Sequence, residues 1–420
     1  MPNYFVSQSS VFTVLDIGSG KICCVIARLD KQNNIEILGT GLQEARGILA
    51  GSITDMKVLE GCVRDCLASA EKMASIRVKR IILGFSSINC SSETYNIEID
   101  LTGSIIKQAD LDKSYEHLYS KLSLENKNIL HFIPVQYSID GNNGIKNPLG
   151  MYGNKLGVEV SVIYSENNII KNFESLIKSC DLETNDLIYS PYSLGHYLLT
   201  EEEKNLGSAL IDIGAELTKI AIFLHGEIVF TKILPIGGNL VTKDISRIFS
   251  LSLTDSERIK IINGQLIEEL ENSLSVIEVS SLGDDSFTDS IEITRKDLIS
   301  VIKPRIIEII SSINDEISKS GYDNTIINRL IFTGGVSQTD GIIDLINKVT
   351  GKKAILARQK IIRGIPENMK GASFSLINSL LNYSVSANRE IKLNKNITNF
   401  EVKNVKNSFL KFKNWLLENF

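Results

Sequence analysis

The sequence predicts an α/β protein with a duplicated core, in which one polar turn from each half faces the other across a ligand cleft. Three observations point there. Apolar strand-like runs alternate with helix-period stretches along most of the chain. Asp-Ile-Gly occurs at 16–18 and again at 212–214, each time between two apolar runs and ahead of a short polar loop; an echo of that kind marks an internal repeat. A further strand-like run, 329–332, ends in Gly334 and Gly335 before a helix start near Thr339. That strand–loop–helix order faces ligands at the carboxyl edge of α/β sheets.

Composition sets the class. A chain of 420 residues can hold two or more domains with cores of their own. Its 43% hydrophobic and 23% charged residues read as soluble and globular. A net charge of −5 argues against general nucleic-acid binding. No apolar run is long enough for a membrane-crossing helix, and the first ten residues have neither the basic start nor the apolar core of a signal peptide. The six cysteines (23, 24, 62, 66, 90 and 180) form no Cys-x-x-Cys pair, and there are four histidines. That usage points to a reducing cytosolic compartment without a structural metal.

Taken in order, residues 1–10 read as disordered. The stretch 11–26, VFTVLDIGSGKICCVI, is a hairpin signal. Gly18 and Gly20 carry no Cβ, so their backbone can approach a ligand closely, and N–H groups in such a turn, with Ser19 between them, can cradle an anion. Lys21 adds a point charge for a phosphate. Asp16 could hold the hydration shell of magnesium. A third strand near 35–42, a helix over 58–73 and a strand over 78–85 complete a first layer. Residues 87–163 then break the rhythm: strand-like runs at 92–99 and 131–139 bracket a polar helix near 110–122, followed by a turn-rich stretch. This reads as an inserted subdomain, with the α/β rhythm resuming in a strand at 158–164 and a helix at 167–180.

The second Asp-Ile-Gly unit lies in 206–223, a strand and a Gly237-Gly238 turn follow at 228–238, and a helix covers 239–249. Thr254 and Glu257 have the spacing of a capping box opening the next helix, and Glu257 and Lys260 share a helix face. A strand is expected at 275–279. The helix pattern 295–318 contains Pro304, where a kink or a later start is expected. Small and apolar residues make a last helix at 371–381.

DIGSGK at 16–21, DIG at 212–214 and FTGGVSQTDGI at 332–342 resemble, in order and spacing, the actin-like nucleotide-binding superfamily. HFIPVQYSIDG at 131–141, GIKNPLGMYG at 144–153 and ILPIGGNLVTKDIS at 233–246 resemble, within it, the FtsA family of bacterial cell-division proteins. The resemblance runs from about residue 11 to 381. It implies an actin-like duplicated fold of four subdomains, with ATP and magnesium in a cleft between the halves. The first-half core would be 11–86, 164–203 and 373–385 (1A), and the insertion 87–163 (1C) would serve polymer contacts and later division proteins. The second-half core would be 204–240 and 322–372 (2A), and the small subdomain 241–321 (2B) would bind the C-terminal peptide of the tubulin-like FtsZ. Residue by residue, Asp16, Gly18, Ser19, Gly20 and Lys21 resemble the first phosphate loop, and Asp212 and Gly214 the second. Gly334 and Gly335 resemble the nucleoside-side loop, Glu257 and Lys260 residues near the adenosine, and Arg305 an arginine on the partner-binding helix.

One departure stands out. Many members of the family continue the second loop with Gly-Gly-Thr and an Asp soon after, where this chain has Ala215, Glu216, Leu217 and Lys219. A hydroxyl facing the γ-phosphate is lost, and Glu216 brings negative charge toward a polyanion unless it points away or magnesium intervenes. The expectation is ATP binding with weak or absent hydrolysis. The alternative is a small-molecule kinase of the same superfamily, which would need a catalytic base and a substrate pocket for which no motif is found.

Residues 386–402 form a polar linker, which as a coil spans roughly 20–24 Å. The segment 403–420 reads as an amphipathic helix: Val405, Phe409, Phe412, Leu416 and Phe420 share one face, Trp415 widens it, and Lys403, Lys406, Lys411 and Lys413 stand against Glu418. Such a helix lies in a membrane interface, its lysines drawn to anionic lipid. The expected location is the cytoplasmic face of the inner membrane at the division site, as a peripheral protein.

Overall fold

The computed structural model describes residues 11–32, 34–267, 275–280, 290–323, 329–360 and 362–386. The N-terminal ten residues, the linker beyond residue 386 and the 403–420 helix expected from the sequence lie outside them.

The first half begins with β1 (Val11–Ile17), β2 (Lys21–Leu29) and β3 (Ile35–Glu44), an antiparallel meander whose register sets Asp16 opposite Cys23. Two short strands, β4 (Ile48–Leu49) and β5 (Ser52–Ile53), form a hairpin tipped by Ala50 and Gly51. Helix α1 (Met56–Ala74) starts where Asp55 accepts the N–H groups of Lys57 and Val58. Its Leu59, Cys62, Val63, Cys66, Leu67 and Ala70 recur at helical spacing and are buried, so Cys62 and Cys66 are core residues. α1 lies so close on β3 that a Cβ on Gly41 would stand 1.9 Å from the Cys66 carbonyl oxygen. Strand β6 (Arg80–Phe85) then adds parallel to β1.

The insertion follows: β7 (Ser91–Ile105), α2 (Gln108–Lys121), β8 (Lys127–Ile139), β9 (Asn142–Ile145) and β10 (Tyr152–Glu166), with sheet order β7-β10-β8-β9. The run 158–164, expected to resume the core rhythm, is instead the middle of β10. Val158, Val160 and Val162 pack with Leu111 and Leu118 of α2 in a core separate from those of the two halves. The core resumes only with α3 (Asn167–Ser179), β11 (Glu183–Tyr189), which pairs parallel to β6, and α4 (Ser190–Leu198).

After α5 (Glu201–Leu206), the second half repeats the plan. Hairpin strands β12 (Ser208–Ile213), β13 (Thr218–Leu224) and β14 (Glu227–Leu234) form a meander. Next come α6 (Gly238–Phe249), α7 (Leu253–Asn263), the small pair β15 (Val276–Ser280) and β16 (Ser290–Thr294), and α8 (Arg295–Lys319). The cap of α7 is Ser252, whose oxygen accepts the Asp255 N–H. The expected box at Thr254 is therefore displaced: Thr254 is already helical, and Glu257 is released for other contacts. α8 runs unbroken through Pro304 from its Thr294 cap. A lost helix bond costs about 3 kcal/mol, and the buried stripe of Ile299, Ile302, Ile306, Ile309, Ile310 and Ile313 outweighs it. The half closes with β17 (Arg329–Thr333), α9 (Ile342–Thr350) and β18 (Lys353–Leu356).

Among the described residues, the half-sheets have the orders β3-β2-β1-β6-β11 and β14-β13-β12-β17-β18, the same arrangement twice. The halves differ in their insertions, after β6 in the first and between α6 and α8 in the second. Helix α10 (Ser375–Ser386) returns from the second half to pack on α4, β1, β2 and β6. α4 and α10 bridge the halves. The first-half core continues into Leu210, Ala221 and Phe223, and a Cβ on Gly195 of α4 would fall 1.9 Å from the Phe223 ring.

Candidate functional site

Four glycine-bearing loops meet at the candidate site, three of them leaving a strand directly at a glycine and the third in chain order beginning three residues after β14 ends. The first is 18–20, between β1 and β2, closed by the Gly18 N–H donating to the Lys21 carbonyl at 3.0 Å. The second is 214–217, between β12 and β13, closed in the same way by Gly214 N–H to Leu217 O at 2.9 Å. These matched turns face each other: a Cβ on Gly20 would lie 2.9 Å from the Cβ of Ala215. The third loop, Gly237–Gly238, is stitched to the second by Gly238 N–H to Gly214 O, 2.9 Å, and Asn239 N–H to Ala215 O, 2.7 Å. The fourth, at Gly334–Gly335, lies against Asp212. Gly334 has φ +91°, and a Cβ there would stand 2.4 Å from Asp212 Oδ1, so glycine is required both by conformation and by space.

The acidic residues end β1 and β12. Asp212 is buried, and its Oδ2 accepts from Lys219 Nζ at 2.9 Å. Burial pushes the Asp16 carboxyl up to about 6, with the charges of Lys219 and Lys21 pulling the other way. Burial acts against the Lys219 ammonium, but Asp212 and Asp16 more than offset it and hold its pKa above the usual lysine value. Burial lowers the pKa of Lys21, whose Nζ sits 3.5 Å from the centre of the Phe374 ring. Ser19 is half-buried in the first loop.

Glu257 and Lys260 come together beside the third loop. Lys260 Nζ donates to Glu257 Oε2 (2.6 Å), Thr242 Oγ1 (2.8 Å) and the Gly238 carbonyl (3.1 Å). The pair thus braces the start of α6. Arg305 lies apart from this site. Its guanidinium donates to Asp244 on α6 at 2.6 and 3.1 Å and also pairs with Glu308.

The departing residues of the second loop form a seam between the halves. Glu216 points away from the facing turns: its Oε2 accepts the Ala50 N–H at 2.7 Å and its Oε1 lies 3.4 Å from Asn239 Nδ2. Leu217 is buried, and a Cβ on Gly51 would be 3.2 Å from its Cδ1. The Thr218 hydroxyl donates to the Ile236 carbonyl at 2.8 Å. The Ala50–Gly51 tip and Phe374 escaped sequence reasoning, since no local pattern marks them. The Asp212–Lys219 pair was legible in principle, because the hairpin register sets those two residues opposite each other.

The features here that suit a polyphosphate are the glycine turns, whose backbone lets an anion approach, and the ammonium groups of Lys21 and Lys219; Ala215 stands with its Cβ against Gly20. The site does not suit the magnesium role expected of Asp16. A hard dication wants free carboxylates and water in an octahedron. Here one carboxylate is bonded to a buried ammonium, and the other lies within that ammonium's field. Among the described residues, no group of three or more His, Cys, Asp or Glu is placed to hold a metal ion.

Two sheets of identical order, opened by matching turns that meet face to face, define an actin-like protein. Solved structures agree on the fold. A chain of the PilM–PilN type IV pilus biogenesis complex superposes with TM-score 0.62 at 15% identity, over 89% of this chain and 98% of that one. MreB5 of Spiroplasma citri bound to ADP gives 0.53 at 13% identity, over 94% and 99%; its AMPPNP-bound form also gives 0.53. The family model described as cell division protein FtsA matches residues 209–378, and that described as the SHS2 domain inserted in FtsA matches 88–164. The cell division protein FtsA of Agrobacterium fabrum is 32% identical over 394 residues, covering 91% of this chain and 89% of that protein. Its counterpart in Escherichia coli is 26% identical over 393 residues, covering 91% and 93%. This chain belongs to the FtsA family of cell-division proteins.

Proposed function

We propose that the chain is a division-site adaptor that binds ATP between its halves, polymerises on the cytoplasmic face of the inner membrane and ties FtsZ filaments to it. The observation that carries the reading is the pair of Asp-Ile-Gly turns meeting across the cleft, with Gly20 against Ala215. Family membership and the ADP and AMPPNP named for the MreB5 neighbours support it. Asp16, Gly18, Ser19, Gly20, Lys21, Asp212, Gly214, Gly334 and Gly335 would line the nucleotide, with Glu257 and Lys260 on its adenosine side. ATP acts by favouring one closure of the halves over another, and closure sets filament geometry. The 241–321 region takes the FtsZ C-terminal peptide, with Arg305 at its contact, and the 87–163 insertion meets the next subunit and later division proteins. Among the described residues, no helix is long and apolar enough to cross a membrane. The lysine-bearing apolar face that the sequence gives 403–420 is what attaches the chain to lipid in this reading.

The test is co-sedimentation of FtsZ with anionic liposomes. The full chain should carry FtsZ down, and a chain lacking 403–420 should leave it in the supernatant. If the truncated chain still carried FtsZ to lipid, the tether reading would be wrong. Trp415→Glu should release the full chain from the same liposomes, because a carboxylate on the apolar face cannot bury as the indole does and is repelled by anionic headgroups.

Hydrolysis should be slow. Leu217 occupies the place of the family's threonine and is packed against Gly51, while the next hydroxyl, that of Thr218, is spent on Ile236. Phosphate release from the purified chain should stay below roughly 1 s⁻¹, under the ordinary enzyme range. Faster turnover would show that another group positions the attacking water.

A further inference from the structure

We propose that the Lys219 ammonium replaces the divalent metal in this cleft, so that a nucleoside polyphosphate binds here without magnesium. The inference deepens the ATP reading above and rests on it.

The two hairpins have the same register, so their acidic residues have equivalent cross-strand partners. Asp16 faces Cys23, and Asp212 faces Lys219. The duplication therefore places one cation, in one half only, at the position where the two acidic strand ends converge. Lys219 Nζ is 2.9 Å from Asp212 Oδ2, with 11% and 12% of the two side chains exposed. The same ammonium acts on Asp16 from across the cleft. A plain structural ion pair would serve one carboxylate. This one is bonded to the carboxylate of one half and lies within the field of the carboxylate delivered by the other.

Three further features favour a fixed cation. A buried ammonium repels a dication brought to the same carboxylates, and the low dielectric of the site strengthens that repulsion. Glu216, which would otherwise add negative charge to a metal-free site, is turned onto the Ala50 N–H. Lys21 supplies a second ammonium, held in place over Phe374. Without metal, the cradle thus has two lysines to set against its two aspartates, and its backbone N–H groups for the phosphates. The ligand class this fits is a nucleoside polyphosphate whose binding does not depend on magnesium.

The experiment is calorimetric titration of the full chain with ATP, once in excess EDTA and once in millimolar magnesium. The dissociation constant should change by less than about threefold between the two, a small fraction of the free energy of binding. Lys219→Ala should lose about tenfold or more of its affinity in EDTA, and Lys219→Arg, which keeps the charge, should bind ATP in EDTA as the parent does. Because Lys219→Ala leaves Asp212 buried and unpaired, a double variant, Asp212→Asn with Lys219→Met, removes both charges together. It should also lose affinity in EDTA while keeping the parent's circular dichroism. A parent that binds ATP only with magnesium overturns the inference and leaves the ATP reading standing. A folded double variant that binds in EDTA as tightly as the parent also overturns it. A parent that binds no ATP in either buffer removes the ATP reading and this inference with it.

Discussion

Gly41→Val is expected to be strongly destabilising. The position lies in β3 beneath α1, and the new Cβ would stand 1.9 Å from the Cys66 carbonyl oxygen and 3.2 Å from its Sγ. The obstacle at 1.9 Å is helix backbone, so no rotamer change relieves it. α1 must lift from the sheet, and its buried face of Leu59, Cys62, Val63 and Cys66 loses contact with β2 and β3. Overpacking of this kind costs about 3 kcal/mol or more, a large part of the 5–15 kcal/mol that holds roughly any domain together. Gly61→Ala is the matching control on the same helix. It is exposed, a Cβ there meets nothing within 4 Å, and alanine should add about 1 kcal/mol through helix propensity. Urea midpoints of the three proteins read both effects. A Gly41→Val chain as stable as its parent would mean that α1 does not lie on β3 at this distance.

Asp16→Asn is expected to stabilise the ligand-free chain at pH 8 and to do nothing for it at pH 4. Burial holds the Asp16 carboxyl at about 6, above the usual 3.8. The folded state therefore keeps its proton over a range where the unfolded chain has lost it. Stability falls as pH rises from about 4 to about 6, and above that range the full cost of the buried charge, on the order of 3 kcal/mol, is present. Asparagine has the shape of the neutral acid and avoids that cost. The gap in melting temperature between variant and parent should open through pH 4–6 and stay open above it. A gap that did not vary with pH would show that Asp16 ionises as a solvated carboxylate does. The loss of stability on ionisation is also what makes a compensating cation at Lys219 physically useful.

Much of the fold was legible because its signals are local. Period-two apolar runs disclosed the β1–β2 and β12–β13 hairpins, helical spacing disclosed α1, and the turn-rich stretch after 139 disclosed the insertion. The errors share a cause. The run 158–164 has the apolar character of a core strand, and nothing local shows that its partners are β7 and β8 and not β6. Thr254 and Glu257 have the spacing of a cap, but Ser252 offers the same oxygen two residues earlier. At Pro304 the local pattern points to a kink or a later start, because the stripe of isoleucines that lets α8 begin at Arg295 is energetic only once the second-half core exists. In the site, Glu216 was recognisable as a charge out of place, while its direction depended on Ala50, 166 residues away in sequence.

By itself, the amino-acid sequence determined that there are two glycine turns after two aspartates, and that an aromatic, lysine-bearing segment ends the chain. These follow from backbone freedom at glycine and from side-chain periodicity, which need no distant partner. The tertiary structure alone decided which charges meet. Asp16, Lys21, Asp212 and Lys219 share one electrostatic environment only because α4 and α10 draw the halves together. In a low dielectric, moving an ammonium by a few ångströms changes whether a carboxylate is free to bind a metal or is already neutralised.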